Sequence, residues 1–324
     1  KCEQTRDNHG CSGSVGVCGK TPEVSALQDL FIYQLQGISA YARGARDVGK
    51  LADSAIDGFL LDGMFSTLTN VNFSPTYFKN KLAEGMGVRD AIRALYEKAC
   101  KDAGVVPKSM DGPAQLDVAG KTAEELERMG LSVGVMARKA HIGDDDKHGL
   151  AELSLYGLKG MMAYADHARE VGRESEEVYS VALEAMDTLT RAKDCSVDEL
   201  LGLALKIGTA NLKAMELLDD GHTSRFGHPT PTSVRMSGKA GKAILVSGHD
   251  LVDLEEVLKR TEGTGIQVYT HGEMLPAHGY PKLKAYAHLA GHYGGPWQLQ
   301  KFEFSKFPGP VLMTSNCLVE PAKK

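Results

Sequence analysis

The sequence lacks the features that mark several large classes of protein. It has no run of about eighteen consecutive apolar residues, which a membrane-spanning helix needs, and no charged and then apolar secretory leader. Lys and Arg are scattered along the chain and the formal net charge is -5, so the basic surface typical of a nucleic-acid-binding protein is missing. We therefore expect no membrane partner, no nucleic-acid partner, and a location in the cytoplasm or in an organelle.

Cysteine is also scarce, but its distribution is uneven. Six cysteines in 324 residues are far below the density of a disulfide scaffold, yet Cys2, Cys11 and Cys18 crowd into one short loop. In a reducing compartment this crowding indicates metal ligation rather than crosslinks. Thiolate sites for zinc or for an iron–sulfur cluster usually need four ligands, so the pattern alone leaves one ligand open. Cys100 and Cys195 lie apart from the others and are interpreted as structural.

The N-terminal part of the chain shows the three- and four-residue apolar spacing of amphipathic helices. Helices are predicted over residues 22–46, 89–101, 123–139, 150–171, 175–192 and 196–218. Ser196 and Glu199 form a capping box at the start of the last one, and Gly221 is expected to end it. Residues 1–237 are therefore predicted to be a helical-bundle domain, with the cysteine loop at 1–20.

The pattern changes after residues 222–234, whose two X-Pro steps disfavour helix and suggest a linker. Apolar runs at 243–247 and 266–270 flank a helical stretch at 251–260, which predicts a βαβ unit with parallel strands. A third strand is predicted at 311–314, after a long irregular stretch. Residues 238–324 thus read as the start of a Rossmann-like parallel α/β domain, and the whole chain as multidomain, α and then α/β.

A potential metal ligand follows each of the three predicted strands. His249 comes after the first, His271 and Glu273 after the second, and Cys317 after the third. Because ligands collect at the carboxyl ends of parallel strands, we expect an imidazole, a carboxylate and a thiolate to meet, a set suited to iron or zinc. Taken singly, each is more often a solvated loop residue. His271 and His278 are equally well explained as loop histidines and as groups that protonate a substrate.

Longer motifs carry more information than these single residues. They are CEQT, GCSGSVGVCGKT, LQDL, FSTLTNVNF, LYGLKG, FGHPTPT, SGHDLVDLEEVLKRTEGTGIQVYTHGEMLPAHGYPKLKAY and FPGPVLMTSNC. In these motifs the chain resembles the hybrid cluster proteins, also known as prismane proteins or hydroxylamine reductases. The resemblance runs from the first residue to the last, and the two motifs nearest the C-terminus are long and specific.

The resemblance implies an N-terminal iron–sulfur cluster held by four cysteines. Cys2, Cys11 and Cys18 match the second, third and fourth of these, and the first would precede Lys1. The implied cluster is of the 4Fe-4S type, with 2Fe-2S as the alternative, and its implied role is electron relay.

The resemblance also implies a second, hybrid cluster of the 4Fe-2O-2S type, which in the family is held by one His, two Glu and four Cys. His249, Glu273 and Cys317 match the first residue of each kind. The remaining ligands lie further along the chain in family members. We therefore expect a fragment that lacks the first cluster cysteine and the C-terminal portion, and that is inactive by itself.

For the intact protein the resemblance implies an oxidoreductase that reduces hydroxylamine to ammonia and water, with nitric oxide as a related substrate. A redox partner protein would supply the electrons. His271 and His278 are the nearest candidates in sequence for a catalytic proton donor.

Two other interpretations remain open. A carbon monoxide dehydrogenase-like enzyme would share the mixed iron–sulfur chemistry. Alternatively, a zinc-stabilised helical interaction module would use His9 to complete a Cys3His site with the three N-terminal cysteines.

Overall fold

The first part of the chain is helical in the computed structural model, which describes residue 11 and residues 14–320. Its helices are α1 (Pro22–Gly49), α2 (Ser54–Ser66), α3 (Pro75–Asp102), α4 (Ala123–Val133), α5 (Val135–Ile142), α6 (Asp145–Glu170), α7 (Glu176–Thr190) and α8 (Val197–Phe226). None of the helices in this described part of the chain combines the length and apolar composition that crossing a membrane requires.

Helix α1 lies at the centre of the bundle. Phe31, Leu35 and Ile38 are fully buried, and α3, α4 and α7 all pack against this helix. The helix begins after Thr21, whose hydroxyl accepts a hydrogen bond from the backbone N–H of Val24 and so caps the first turn. Apolar side chains around much of its circumference explain why neighbouring helices surround α1.

Helix α8 confirms one predicted boundary and corrects the other. The capping box is present, because Ser196 accepts from the Glu199 N–H while the Glu199 carboxylate accepts from the Ser196 N–H. Gly221 does not end the helix, which continues to Phe226 and is followed by Gly227. A Cβ atom at position 221 would lie 2.2 Å from Cγ2 of Val171. Glycine at this position therefore allows α8 to pack closely against Val171 and does not end the helix.

Helix α2 was not predicted, α6 begins five residues before the predicted residue 150, and two further stretches also differ from the prediction. Helix α3 begins at Pro75, capped by Ser74, well before the predicted residue 89. The predicted helix over 123–139 is divided into α4 and α5 at Gly134, whose ψ of 177° is extended. A Cβ atom at Gly134 would lie 2.9 Å from Oδ2 of Asp29, so this break brings the chain close to α1.

The second part of the chain is a parallel sheet with short helices. Its elements are β1 (Ala243–Ser247), α9 (Leu251–Thr261), β2 (Gln267–Thr270), a 3-10 helix (Gly272–Gly279), α10 (Pro281–Lys284), β3 (Leu289–His292), α11 (Gln300–Lys306) and β4 (Val311–Met313). The strand order is β3-β2-β1-β4, and every neighbouring pair is parallel. The predicted fold class, helical and then parallel α/β, is confirmed.

Strand β3 was not predicted from the sequence. Its four residues, LAGH, include an alanine and a glycine, which lack the bulk that marks a strand in sequence. The predicted strand at 311–314 is therefore the fourth along the chain. It nevertheless pairs directly with β1, so β2, β1 and β4 are adjacent in the sheet.

The two parts are joined by the end of α8. Phe226 is fully buried and packs in one cluster with Leu254 and Val268 of the α/β part. Residues 228–242 contain no helix or strand, and the Thr230 N–H donates to the carbonyl of Gly279 at 2.9 Å. The last turn of α8 thus belongs to the core beneath the sheet.

Candidate metal centre

Three donor side chains meet at the carboxyl ends of β1, β2 and β4. His249 follows β1, Glu273 lies in the 3-10 helix after β2, and Cys317 follows β4. One ligand atom from each lies within 4.8 Å of the others. Nε2 of His249 donates to Oε2 of Glu273, and the Cys317 thiol donates to Oε1 of the same carboxylate at 3.7 Å. The carboxylate therefore lies between the imidazole and the thiol.

The environment of Cys317 keeps its thiol protonated in the absence of a metal. Burial, together with the smaller effect of the neighbouring Glu273 carboxylate, raises the pKa of Cys317 to about 12. A bound cation would displace the thiol proton, because metal ligation requires the thiolate. Imidazole, carboxylate and thiolate together form a donor set of the kind that binds iron or zinc.

Gln300, which the sequence did not mark as functional, holds the Cys317 segment from one side. Its side chain is 2% exposed and lies on α11. The amide Nε2 donates to the carbonyl of Cys317, and Oε1 accepts from the N–H of Val319 at 3.0 Å. Cys317 has a φ of 62°, which is uncommon for a residue with a side chain. Gln300 therefore stabilises an unfavourable backbone conformation at the candidate ligand.

His271 is fully buried and has a protein partner on each ring nitrogen. Nε2 lies 2.9 Å from Oε2 of Glu303 and Nδ1 lies 3.0 Å from Oγ of Ser247. Because a carboxylate only accepts, Nε2 carries the proton, and in the neutral ring Nδ1 accepts from the Ser247 hydroxyl. Neither Ser247 nor Glu303 was marked by sequence pattern.

His278 belongs to a second buried network. Oγ1 of Thr270 lies 2.9 Å from Nε2 of His278 and 2.9 Å from Nδ1 of His292. Burial lowers the pKa of His278, and it lowers the pKa of His292 to about 4. The catalytic role predicted for His271 and His278 stays a prediction, since their hydrogen bonds are to protein groups beneath the ends of the strands.

The N-terminal cysteine loop is described only in part. Cys2, like His9, lies outside the described residues. Sγ of Cys11 accepts from the N–H of Val17 at 3.4 Å, and a Cβ atom at Gly16 would lie 3.3 Å from Sγ of Cys18. Backbone N–H groups that donate to sulfur are typical of iron–sulfur loops.

A further group of potential ligands includes Asp250, the residue that follows His249. His167 and Glu170 of α6 and Asp250 each bring one ligand atom within 4.8 Å of the other two. Asp250 also caps α9, because its Oδ1 accepts from the N–H groups of Val252 and Asp253. This group places α6 against the loop that carries His249.

Comparison with known proteins identifies the family. The sequence model of the Prismane/CO dehydrogenase family matches residues 1–324. The chain belongs to this family. It is 48% identical over 326 residues to the hydroxylamine reductase of Acidithiobacillus ferrooxidans, covering 100% of this chain and 58% of the relative. It is also 48% identical over 321 residues to the hydroxylamine reductase of Rhodospirillum rubrum, covering 99% of this chain and 58% of that protein.

The chain thus spans 58% of the length of these curated relatives. Among solved structures it is similar to carbon monoxide dehydrogenase IV from Carboxydothermus hydrogenoformans, at 15% identity and a TM-score of 0.31, covering 95% of this chain and 44% of the other.

Proposed function

We propose that the full-length protein is an iron–sulfur oxidoreductase that reduces hydroxylamine. Hydroxylamine, two electrons and two protons would yield ammonia and water. The observation that carries the proposal is the convergence of the His249, Glu273 and Cys317 donor atoms within 4.8 Å. Membership of the family and the names of the relatives support the same substrate.

The donor groups fit a mixed iron–sulfur–oxygen cluster. Nitrogen, oxygen and sulfur donors face one point, and the protons on His249 and Cys317 that now contact Glu273 are those that a metal would displace. Among the described residues, the buried ring Nδ1 of His249 has no hydrogen-bond partner, so no hydrogen bond through that atom fixes the imidazole. When bound, a hybrid 4Fe-2O-2S cluster would supply electrons and an open iron for the substrate.

A second, electron-relaying cluster would be held by Cys2, Cys11 and Cys18 with a fourth thiolate. We favour the 4Fe-4S type. Its electron donor would be a redox partner protein, and we place the protein in the cytoplasm. We assign residues 1–237 to the helical domain and residues 238–324 to the beginning of the α/β domain.

Proton supply is proposed for His271 and His278. The proton on Nε2 of His271 is held by the Glu303 carboxylate, and Ser247 fixes the other side of the ring. Burial lowers the pKa of His278, and its Nε2 can accept a hydrogen bond from the Thr270 hydroxyl. Substitution of each histidine by Gln preserves its size and one hydrogen bond while removing acid–base function.

The test uses the full-length protein purified without oxygen. Iron well above about four atoms per chain, together with hydroxylamine-dependent oxidation of a reduced dye, is the expected result. His249→Ala and Glu273→Gln should lower both iron content and turnover. The control is Glu262→Gln, which changes an exposed carboxylate at the end of α9. A colourless protein that contains zinc alone would contradict the proposal.

A further inference from the structure

Two hydroxyl groups connect the loop of His249 to the loop of Cys317. Oγ of Ser315 accepts a hydrogen bond from the backbone N–H of His249 at 2.9 Å. Oγ1 of Thr314 accepts from the backbone N–H of Asp250 at 3.2 Å and donates to the carbonyl of Ser247 at 3.2 Å. Each hydroxyl thus holds the backbone of the other loop rather than a side chain.

The backbone geometry requires the two loops to touch. Strand pairing continues past the end of β4, because the Thr314 N–H donates to the carbonyl of Ser247 at 2.9 Å. Gly248 has a φ of 111° and is buried against this segment. A Cβ atom there would lie 2.3 Å from Oγ1 of Thr314 and 2.7 Å from the N of Ser315, so only glycine allows this approach.

The same short segment therefore carries a candidate ligand and the group that positions another. Ser315 lies two residues before Cys317, and its hydroxyl fixes the main chain of His249. On its other side His249 is followed by Asp250, whose carboxylate caps α9. The main chain of His249 is thus fixed from both directions by protein groups alone.

We propose that Ser315 and Thr314 are positioning residues that hold His249 and Cys317 at the correct separation for one metal centre. The proposal rests on the proposed function for the identity of that centre. What the proposal adds is that hydrogen bonds from the backbone to the Ser315 and Thr314 hydroxyls set the distance between His249 and Cys317. Such preorganisation matters because ligands held by a surrounding shell of hydrogen bonds bind metal more tightly than mobile ones.

The first experiment measures the two hydroxyl bonds directly in this chain. Amide hydrogen exchange is followed residue by residue in Ser315→Ala and in Thr314→Val. Ser315→Ala should accelerate exchange of the His249 amide about tenfold, since one hydrogen bond is lost, and should leave the Asp250 amide less affected. Thr314→Val should show the reverse order. Ser315→Thr retains a hydroxyl and should restore protection at His249.

The control for this experiment is Ser305→Ala, since the Ser305 hydroxyl on α11 donates to the carbonyl of Phe302 at 2.8 Å, within its own helix. It should leave both amides unchanged. Unchanged exchange of the His249 amide in Ser315→Ala would overturn the proposal. If Ser315→Ala does not fold, the exchange rate of the Asp250 amide in Thr314→Val serves as the test, and an unchanged rate there would overturn the proposal.

The second experiment measures the consequence at the metal. In the full-length protein, nitrogen hyperfine coupling in pulsed EPR spectra reports a histidine on the cluster. Ser315→Ala should weaken or remove this coupling, and Ser315→Thr should recover it. Coupling that is unchanged in Ser315→Ala, despite faster exchange of His249, would overturn the positioning role. A wild-type protein without nitrogen coupling would overturn the proposed function and with it the metal-positioning role, although the exchange data would still stand.

Discussion

Glu320 donates its backbone N–H to the carbonyl of Cys18 at 3.2 Å, so the segment after Cys317 is hydrogen-bonded to the N-terminal cysteine loop. A Cβ atom at Gly19 would lie 2.9 Å from Cβ of Glu320, which shows how closely the two segments approach. The loops of two candidate cluster sites are therefore in direct contact. This contact is the arrangement that electron relay from one cluster to the other would need.

Asn70 secures the same segment from the helical part. The side-chain Nδ2 of Asn70 donates to the carbonyl of Leu318 at 3.0 Å, and the backbone carbonyl of Asn70 accepts from the Leu318 N–H at 2.9 Å. Asn70→Ala should lower the free energy of unfolding by about 1–3 kcal/mol, because the partly buried Leu318 carbonyl loses a hydrogen-bond partner. Urea unfolding followed by circular dichroism measures this change.

The matched control is Asn211→Ala, which alters an asparagine whose Nδ2 contacts only the sulfur of Met215 at 3.6 Å among the bonds described. Its effect should be within about 0.5 kcal/mol. Equal stability of the Asn70 variant and the wild type would show that the 317–320 segment is not secured by this residue.

The sequence was sufficient to predict the three donors and insufficient to predict what holds them. His249, Glu273 and Cys317 could be found because each follows an apolar run, and parallel strands bring such positions together. Gln300 and Ser315 could not be found in this way. They act on backbone atoms of residues that only the tertiary structure brings near, and neither belongs to a chemical pattern along the chain.

The errors in the predicted fold have a similar origin. Gly221 was interpreted as a helix end because glycine commonly follows a last turn, but contact with Val171 explains it instead. Strand β3 went unpredicted because two of its four residues are small, and pairing with β2 decides its conformation. Local preference is a weak guide where tertiary contacts decide.

Gly221 and Gly208 offer a matched pair within α8. At Gly221 an added methyl group would meet Cγ2 of Val171 at 2.2 Å, whereas at Gly208 no described atom outside the surrounding helix backbone lies within 4 Å. Gly221→Ala should therefore destabilise the protein by about 1–2 kcal/mol despite the better helix propensity of alanine. Gly208→Ala should stabilise it by about 0.5–1 kcal/mol. Thermal and urea unfolding measure the change in stability of both variants. A change of the same sign in the two variants would refute this explanation of Gly221.

Gln300 provides a test of how the Cys317 loop is held. Gln300→Ala removes the donor to the Cys317 carbonyl and the acceptor for the Val319 N–H. The segment should open more often, and alkylation of Cys317 by iodoacetamide should accelerate several-fold relative to the buried Cys100. Mass spectrometry of the labelled peptides measures both rates.

Gln298 is an exposed neighbour of the same amide type, so Gln298→Ala is the control and should leave the alkylation rate of Cys317 unchanged. If the Gln300 and Gln298 variants react at the same rate, the buried amide does not determine access to the thiol.

Lys159 makes stability depend on pH through the helical part. It is 7% exposed on α6, and its Nζ donates to the carbonyl of Thr67 at 3.3 Å and lies 5.6 Å from the centre of the Tyr156 ring. Burial lowers the pKa of Lys159 to about 8, against about 10.4 in an unfolded chain. Below pH 8 both states hold the proton, and the cost of burying the charge is fully present.

As the pH rises from about 8 to about 10.4, the native state releases this proton before the unfolded state does. The unfolded state then binds more protons, so the contribution of Lys159 to stability must rise with pH, by about 3 kcal/mol over the window. Lys159→Met should remove this rise. The measurement is the difference in the free energy of unfolding between the variant and the wild type, obtained by urea unfolding at pH 7.5 and at pH 10. Lys206→Met, which changes a half-exposed lysine paired with Glu184, should keep it. A difference between wild type and Lys159→Met that does not vary with pH would mean that the buried amine does not titrate in this range.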